Sequence, residues 1–158
     1  MRVGHGWDIH RLAAGRRFIL GGVQIAWDKG PLGHSDGDAL FHALCDAILG
    51  ASGLGDIGLH FPDSDPKWKD SDSGRFVAKA VEMAGNRGLK PANADVTVIL
   101  EKPKLGPYRE AIAANMASLL GLSTEKVNVK AKTAEGLGPE GAGEAVSCHA
   151  VVMMEEVA

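Results

Sequence analysis

The sequence predicts a single α+β domain in which helices are layered on one face of a mixed β-sheet. Three observations carry this expectation. The chain has 158 residues with 45% hydrophobic and 23% charged side chains, the size and mix of one domain with an ordinary core, so residues 1–158 form one unit. Its helical stretches are too numerous for a sandwich. Its β-branched segments are too interrupted for a helix bundle.

Val3 to Ile9 reads as a short strand and Phe18 to Ile25 as a second, joined by a polar loop rich in arginine and glycine. Ser35-Asp36-Gly37-Asp38 offers an N-cap with an acidic residue three positions on. Leu40, Leu44, Ile48 and Leu49 follow at helical spacing, so a helix is expected from about Asp36 to Ala51. Gly53 to Ser73 is dense in glycine, proline and aspartate around Phe61 and Trp68 and reads as a long functional loop. A second helix is expected over Ser73–Asn86, a strand over Asp95–Leu100, and a third helix over Gly106–Leu120, ended by Gly121. Val127–Lys132 and Ala145–Met154 complete the strands, giving the order β-β-α-α-β-α-β-β. No internal repeat or low-complexity tract interrupts it.

The formal net charge of −3 gives no reason to expect nucleic acid as a partner, so any phosphate site must be built locally. The opening Met1-Arg2-Val3-Gly4-His5 lacks the basic-then-apolar layout of a secretory signal. No apolar run approaches the ~20 residues of a membrane span, and a cytoplasmic location with no membrane partner is the expectation. The two cysteines, Cys45 and Cys148, have no paired spacing and are expected as reduced packing residues.

Asp8 and His10 lie two apart on the first strand, so both side chains point to one face. His42, mid-helix, offers a third ligand, and an Asp/His/His set with one open position suits a catalytic zinc. On spacing alone an Asp-x-His pair and a helical histidine also occur as ordinary satisfied polar residues. Asp38 and Asp46, one turn either side of His42, are candidates for orienting its second ring nitrogen. His34 and Ser35 open the same helix, where free N–H groups and the dipole favour a phosphate; Ser35 acting only as a cap is the other reading.

Gly55-Asp56-Ile57-Gly58 and Phe61-Pro62-Asp63-Ser64-Asp65 bring carboxylates suited to substrate hydroxyls, in residue types that equally form turns. Leu100-Glu101-Lys102-Pro103-Lys104-Leu105-Gly106 runs from a strand end into a helix start, and Lys130-Ala131-Lys132-Thr133-Ala134-Glu135 combines basic, hydroxyl and acidic side chains at another strand end. Phosphate contact and plain solvation remain open for both from the residues alone.

Taken together, Gly4-His5-Gly6-Trp7-Asp8-Ile9-His10, His34-Ser35-Asp36-Gly37-Asp38 with His42, Gly55-Asp56-Ile57-Gly58, Phe61 to Asp65, Pro103-Lys104, Lys130 to Gly138 and Gly143-Glu144 form an ordered set spanning the chain. The set resembles the 2-C-methyl-D-erythritol 2,4-cyclodiphosphate synthase family of the non-mevalonate isoprenoid pathway. The resemblance implies a phosphorus–oxygen lyase acting on 4-diphosphocytidyl-2-C-methyl-D-erythritol 2-phosphate: the 2-phosphate attacks the β-phosphorus, CMP leaves and a cyclic diphosphate forms. It also implies zinc on Asp8, His10 and His42, a Mg²⁺ or Mn²⁺ ion near Glu135, and transition-state stabilisation by His34 and Thr133. Asp8, His10, His34, Ser35, Asp56, Ile57, Gly58 and Phe61 to Asp65 would hold the methylerythritol phosphate. Leu100 to Gly106, with Ala131, Lys132, Thr133 and Glu135, would hold the cytidine and its phosphates. A homotrimer with active sites between subunits is implied as well.

Departures stand out. Many family members read Lys-Ala-Thr-Thr-Thr-Glu where this chain has Lys130-Ala131-Lys132-Thr133-Ala134-Glu135, so Lys132 places an ammonium beside the phosphates. Where some bacterial members carry an aromatic residue and an arginine near the trimer axis, Pro139 and Ala142 stand here, with Glu144 retained and His149 nearby, which argues against regulation by an isoprenyl diphosphate. The competing readings are a metal-dependent phosphohydrolase on the same ligands and a trimeric binding protein without turnover.

Overall fold

A computed structural model describes residues 1–157 and has the expected α+β architecture. Its main sheet has five strands in the order β4-β1-β7-β5-β6, where β1 is Arg2–Ala14, β4 Lys29–Pro31, β5 Leu89–Ile99, β6 Val127–Lys132 and β7 Ala145–Glu156. Strands β5 and β6 run parallel and the remaining pairs antiparallel. Helix α1 (Ala39–Ala51) packs on β1 and β7; α3 (Gly74–Gly85) covers α1, and α4 (Arg109–Leu120) lies over β6.

Alternation along β1 decides which side is core. Gly4 and Gly6 are buried beneath α1 and Leu12 is buried on the same face, whereas Val3 (66% exposed) and Trp7 (51% exposed) point away from it. A Cβ on Gly4 would fall on the carbonyl oxygen of Ala47, and one on Gly6 on that of Ala43. Only glycine lets the helix come this close. The approach sets the position of everything α1 carries, including His42. Leu40, Leu44, Ile48 and Leu49 are fully buried, each contributing roughly 1.5–3 kcal/mol through the apolar area it hides.

Several boundaries differ from the sequence expectation. Helix α1 begins at Ala39, because Asp38 and not Ser35 is its N-cap, accepting from the Phe41 N–H. The expected strand over Phe18–Ile25 is a hairpin of β2 (Phe18–Leu20) and β3 (Val23–Ile25), turned by Gly21 and Gly22, both with positive φ as a tight two-residue turn requires. Strand β4 has no counterpart in the sequence reading, and two of its three residues are glycine and proline, which carry little strand propensity. The Gly53–Ser73 loop contains helix α2 (Ile57–His60) and a 3₁₀ turn at Pro66–Trp68. Strand β5 starts at Leu89, with an irregularity between Pro91 and Asn93, and not at Asp95. The expected helix from Gly106 opens as a 3₁₀ turn over Gly106–Tyr108 before α4, and α5 (Gly138–Gly141) adds a further short turn. Cys45 and Cys148 are buried free thiols, and burial pushes both well above the usual thiol range. Among the described residues no helix is long and apolar enough to cross a membrane.

Candidate active site

Asp8 and His10 continue the α1-facing row of Gly4 and Gly6, which carries them to the end of the sheet where His42 projects from the helix. Asp8 Oδ2 lies 2.8 Å from His10 Nε2 and 3.0 Å from His42 Nδ1, and the two ring nitrogens are 3.1 Å apart. The remaining hydrogen bonds fix which atoms face inward. His10 Nδ1 donates to the Leu32 carbonyl, so a neutral ring leaves Nε2 bare toward the cluster. His42 Nε2 contacts Ser73 Oγ at 2.8 Å and Ser35 Oγ at 3.0 Å, turning Nδ1 to the same point.

Three electron-pair donors this close repel one another unless a proton or a cation sits among them. Burial works to raise the Asp8 carboxyl, but hydrogen bonds and charge from His10 and His42 outweigh it and hold the group at about 2. Burial likewise disfavours a charged His10, yet Asp8 lifts its pKa above the ordinary histidine value. The centre therefore attracts positive charge, and two imidazole nitrogens with one carboxylate oxygen form a donor set that suits zinc.

These residues line a cavity of about 510 Å³ together with His34, Ser35, Leu32, Gly33, Ile57, Gly58, Phe61, Pro62, Asp63, Trp68 and Phe76. His34 Nε2 lies 3.4 Å from the Asp65 carbonyl, tying the metal side to the far loop. Asp56, Ser64 and Asp65 do not line the cavity. Asp56 caps α2 through the Leu59 N–H, and Asp65 caps the following turn and pairs with Lys67 at 3.0 Å, which holds its half-buried carboxyl below the usual range. Sequence reasoning missed Leu32, Gly33 and Phe76, which enter through β4 and the helix after the loop.

Two earlier expectations are corrected. Asp38 and Asp46 do not orient His42. Asp38 accepts from the N–H groups of Gly21, Gly22 and Phe41, and Asp46 accepts from Ile57 N. Burial pushes both carboxyls up, that of Asp38 to about 6 even with three N–H donors on it. Nor is the start of α1 a phosphate cradle, because the Asp38 carboxylate fills the first turn and would repel a second anion there.

A second cavity of about 290 Å³ is lined by Leu100, Glu101, Pro103, Lys104, Leu105, Gly106, Ala131, Lys132 and Thr133, with Arg109 as a cation the sequence reading did not single out. Lys102 precedes a cis proline and does not line it. Thr133 Oγ1 donates to Glu135 Oε1 at 3.1 Å, and the Ala134 N–H donates to Glu101 Oε2 at 3.2 Å. Along the register Asp8 pairs with Cys148, Cys148 with Val98 and Val98 with Ala131. Three interstrand spacings, about 14 Å, therefore separate Asp8 from Ala131 within one chain. His34 lines the first cavity and Thr133 the second.

The fold and the first cavity define an α+β protein with an Asp/His/His metal-type cluster at the mouth of a pocket. The sequence profile of the YgbB family matches residues 1–155. The 2-C-methyl-D-erythritol 2,4-cyclodiphosphate synthase of Gloeobacter violaceus is 53% identical over 156 residues, covering 99% of this chain and 96% of the relative. A solved synthase of that name in its CDP-bound form superposes with a TM-score of 0.90 at 44% identity, covering 98% of this chain and all of the other. The bifunctional IspDF from Campylobacter jejuni superposes at a TM-score of 0.94 and 39% identity; this chain spans 42% of its length. The chain belongs to the YgbB family, the 2-C-methyl-D-erythritol 2,4-cyclodiphosphate synthases, which are enzymes of the lyase class.

Proposed function

We propose that this protein converts 4-diphosphocytidyl-2-C-methyl-D-erythritol 2-phosphate to 2-C-methyl-D-erythritol 2,4-cyclodiphosphate and CMP, with zinc held by Asp8, His10 and His42. The observation that carries the reading is the convergence of those three side chains at the mouth of the larger cavity, in a chain about half identical to named synthases. In the reaction an oxygen of the 2-phosphate bonds to the β-phosphorus as the bond from that phosphorus to the CMP oxygen breaks, so no water is consumed. Zinc bound there would supply Lewis-acid chemistry that withdraws charge from phosphorus.

The chain's own residues do the rest by position and charge. Ile57, Gly58, Phe61, Pro62 and Asp63 shape the wall for the methylerythritol carbons and hydroxyls. His34 and Thr133 donate hydrogen bonds to phosphoryl oxygens. Lys104, Lys132 and Arg109 offset the charge of the diphosphate, and the backbone from Leu100 to Gly106 receives the nucleotide, consistent with CDP being bound in a related synthase. Glu135 would hold a hard divalent ion, Mg²⁺ or Mn²⁺, which would offset the charge of the diphosphate.

A homotrimer with sites between subunits is part of this reading. Its support is the sheet face that carries Val3, Trp7 and Val151 into solvent in one chain, and the distance across the sheet between the two cavities. A second chain on that face brings His34 and Thr133 to one substrate. The reading is tested by ³¹P NMR of the protein with substrate, Zn²⁺ and Mg²⁺. Cyclic diphosphate appearing with CMP, and stopping on zinc chelation, is expected; linear phosphates would show a hydrolase instead. Sedimentation equilibrium checks the assembly, and a monomer that turns over at full rate would overturn the intersubunit site.

A further inference from the structure

The Ser73 hydroxyl lies outside the donor set, yet it is surrounded by that set's supports. It is fully buried at the start of α3, a position where serine ordinarily caps the helix, but its side chain makes no capping bond. The Gly74 N–H goes instead to Asp72 Oδ1, at 2.7 Å. Ser73 Oγ donates to Asp36 Oδ1 and lies 2.8 Å from His42 Nε2. Asp36 is itself pinned, accepting from the N–H groups of Asp38 and Ser73 and donating its own N–H to the Ser71 carbonyl.

A hydroxyl carries one hydrogen. The Asp36 carboxylate accepts only and has drawn that hydrogen, so Ser73 Oγ meets His42 Nε2 as an acceptor, and the Nε2 must carry the ring N–H. We propose that Ser73, held by Asp36, is a positioning residue that fixes His42 with its proton on Nε2 and its Nδ1 lone pair aimed at the metal. Ser35 Oγ, 3.0 Å from the same nitrogen, is a weaker partner because no carboxylate polarises it. The relay also joins the two segments flanking the pocket, since the Asp70 N–H donates to the His34 carbonyl beside it. Metal-bound histidines are commonly held this way through their outer nitrogen, and losing that partner lowers metal affinity ~10–100-fold.

The inference rests on the zinc reading, and two measurements separate its failure from the failure of that reading. Zinc affinity by chelator competition is measured for the wild type, Asp8→Ala, Ser73→Ala and Ser73→Thr. Loss of zinc in Asp8→Ala with a drop of ~10–100-fold in Ser73→Ala, substantially restored in Ser73→Thr, is expected. Tight binding that survives Asp8→Ala would remove the zinc assignment itself. Equal affinity in wild type and Ser73→Ala would remove the relay alone. Long-range ¹H–¹⁵N correlation on the zinc-loaded wild type needs no variant to fold: a proton on His42 Nε2 supports the relay, and an Nε2 without a proton overturns it.

Discussion

The two cavities are built on opposite terms. In the Asp8, His10 and His42 cluster both histidines have a partner for the outer ring nitrogen, and α1, β1 and the loops before α1 and α3 are hydrogen-bonded into one block. Around Lys132 and Thr133 the side chains are exposed and have few partners, Thr133 bonding only to its neighbour Glu135. The first half can be preorganised in a single chain because it is partly buried between β1 and α1 and tied by hydrogen bonds on its outer side. The second sits on the far strands of the sheet, and its cations are left for a substrate to satisfy.

The largest expected contrast comes from removing one group on each side. Asp8→Ala should lose zinc and, with several kcal/mol of charge stabilisation gone, reduce turnover by on the order of a thousandfold or more. Thr133→Ala should keep its zinc and lose ~100–1,000-fold in kcat as a lost transition-state donor. Metal analysis beside steady-state kinetics reads both, and zinc loss in Thr133→Ala would dissolve the distinction.

Stability should divide the same way. Asp38→Asn puts an amide N–H₂ where both carboxylate oxygens now accept from Gly21, Gly22 and Phe41, so a donor must face a donor. A loss of ~1–3 kcal/mol in urea unfolding is expected even though a buried charge is removed. An unchanged midpoint would show that the charge costs as much as its bonds contribute. Lys132→Ala, on the exposed half, should leave unfolding unaltered within ~0.5 kcal/mol and raise KM several-fold.

The smallest effect sought is in the pH dependence of the metal-free protein. Asp38, raised to about 6, and His10, raised by Asp8, both take up protons more readily folded than unfolded, so stability should grow as pH falls from 7 toward 5. Asp8, held at about 2, contributes above the ordinary carboxylate range, and that contribution is lost as pH falls from about 4 toward 2. A maximum near pH 4–5 is expected, with Asp8→Asn flattening the acid side. A steady fall from pH 7 downward would contradict the Asp38 assignment.

The sequence was most informative where one element's own periodicity decides the outcome. The two-residue spacing of Asp8 and His10 and the apolar rows of α1 anticipated that Asp8, His10 and His42 converge from a strand and a facing helix. It failed where a short polar side chain had several partners to choose from. Ser35 looked like a helix cap and Ser73 like the first residue of a helix, yet Asp38 and Asp72 hold the neighbouring N–H groups, and the serines turn to His42. Strand β4 was invisible because Gly30 owes its place to the carbonyls of Arg16 and Arg17 pressed against it and not to β propensity. That the two cavities lie strands apart depends on sheet order, which local patterns do not encode.

The glycines of β1 have a further consequence. Helix α1 touches the strand at Gly4 and Gly6 and, a few residues on, leaves room for a carboxylate and two imidazoles. Strand and helix thus diverge like the jaws of a caliper whose pivot is a pair of missing side chains. Gly6 is nearest the jaws, and a methyl group added there would widen the gap between Asp8 and His42. Under the proposed metal reading, ions that require short bonds would suffer first, so the ionic radius the centre accepts would be gauged at a position that never touches the ion.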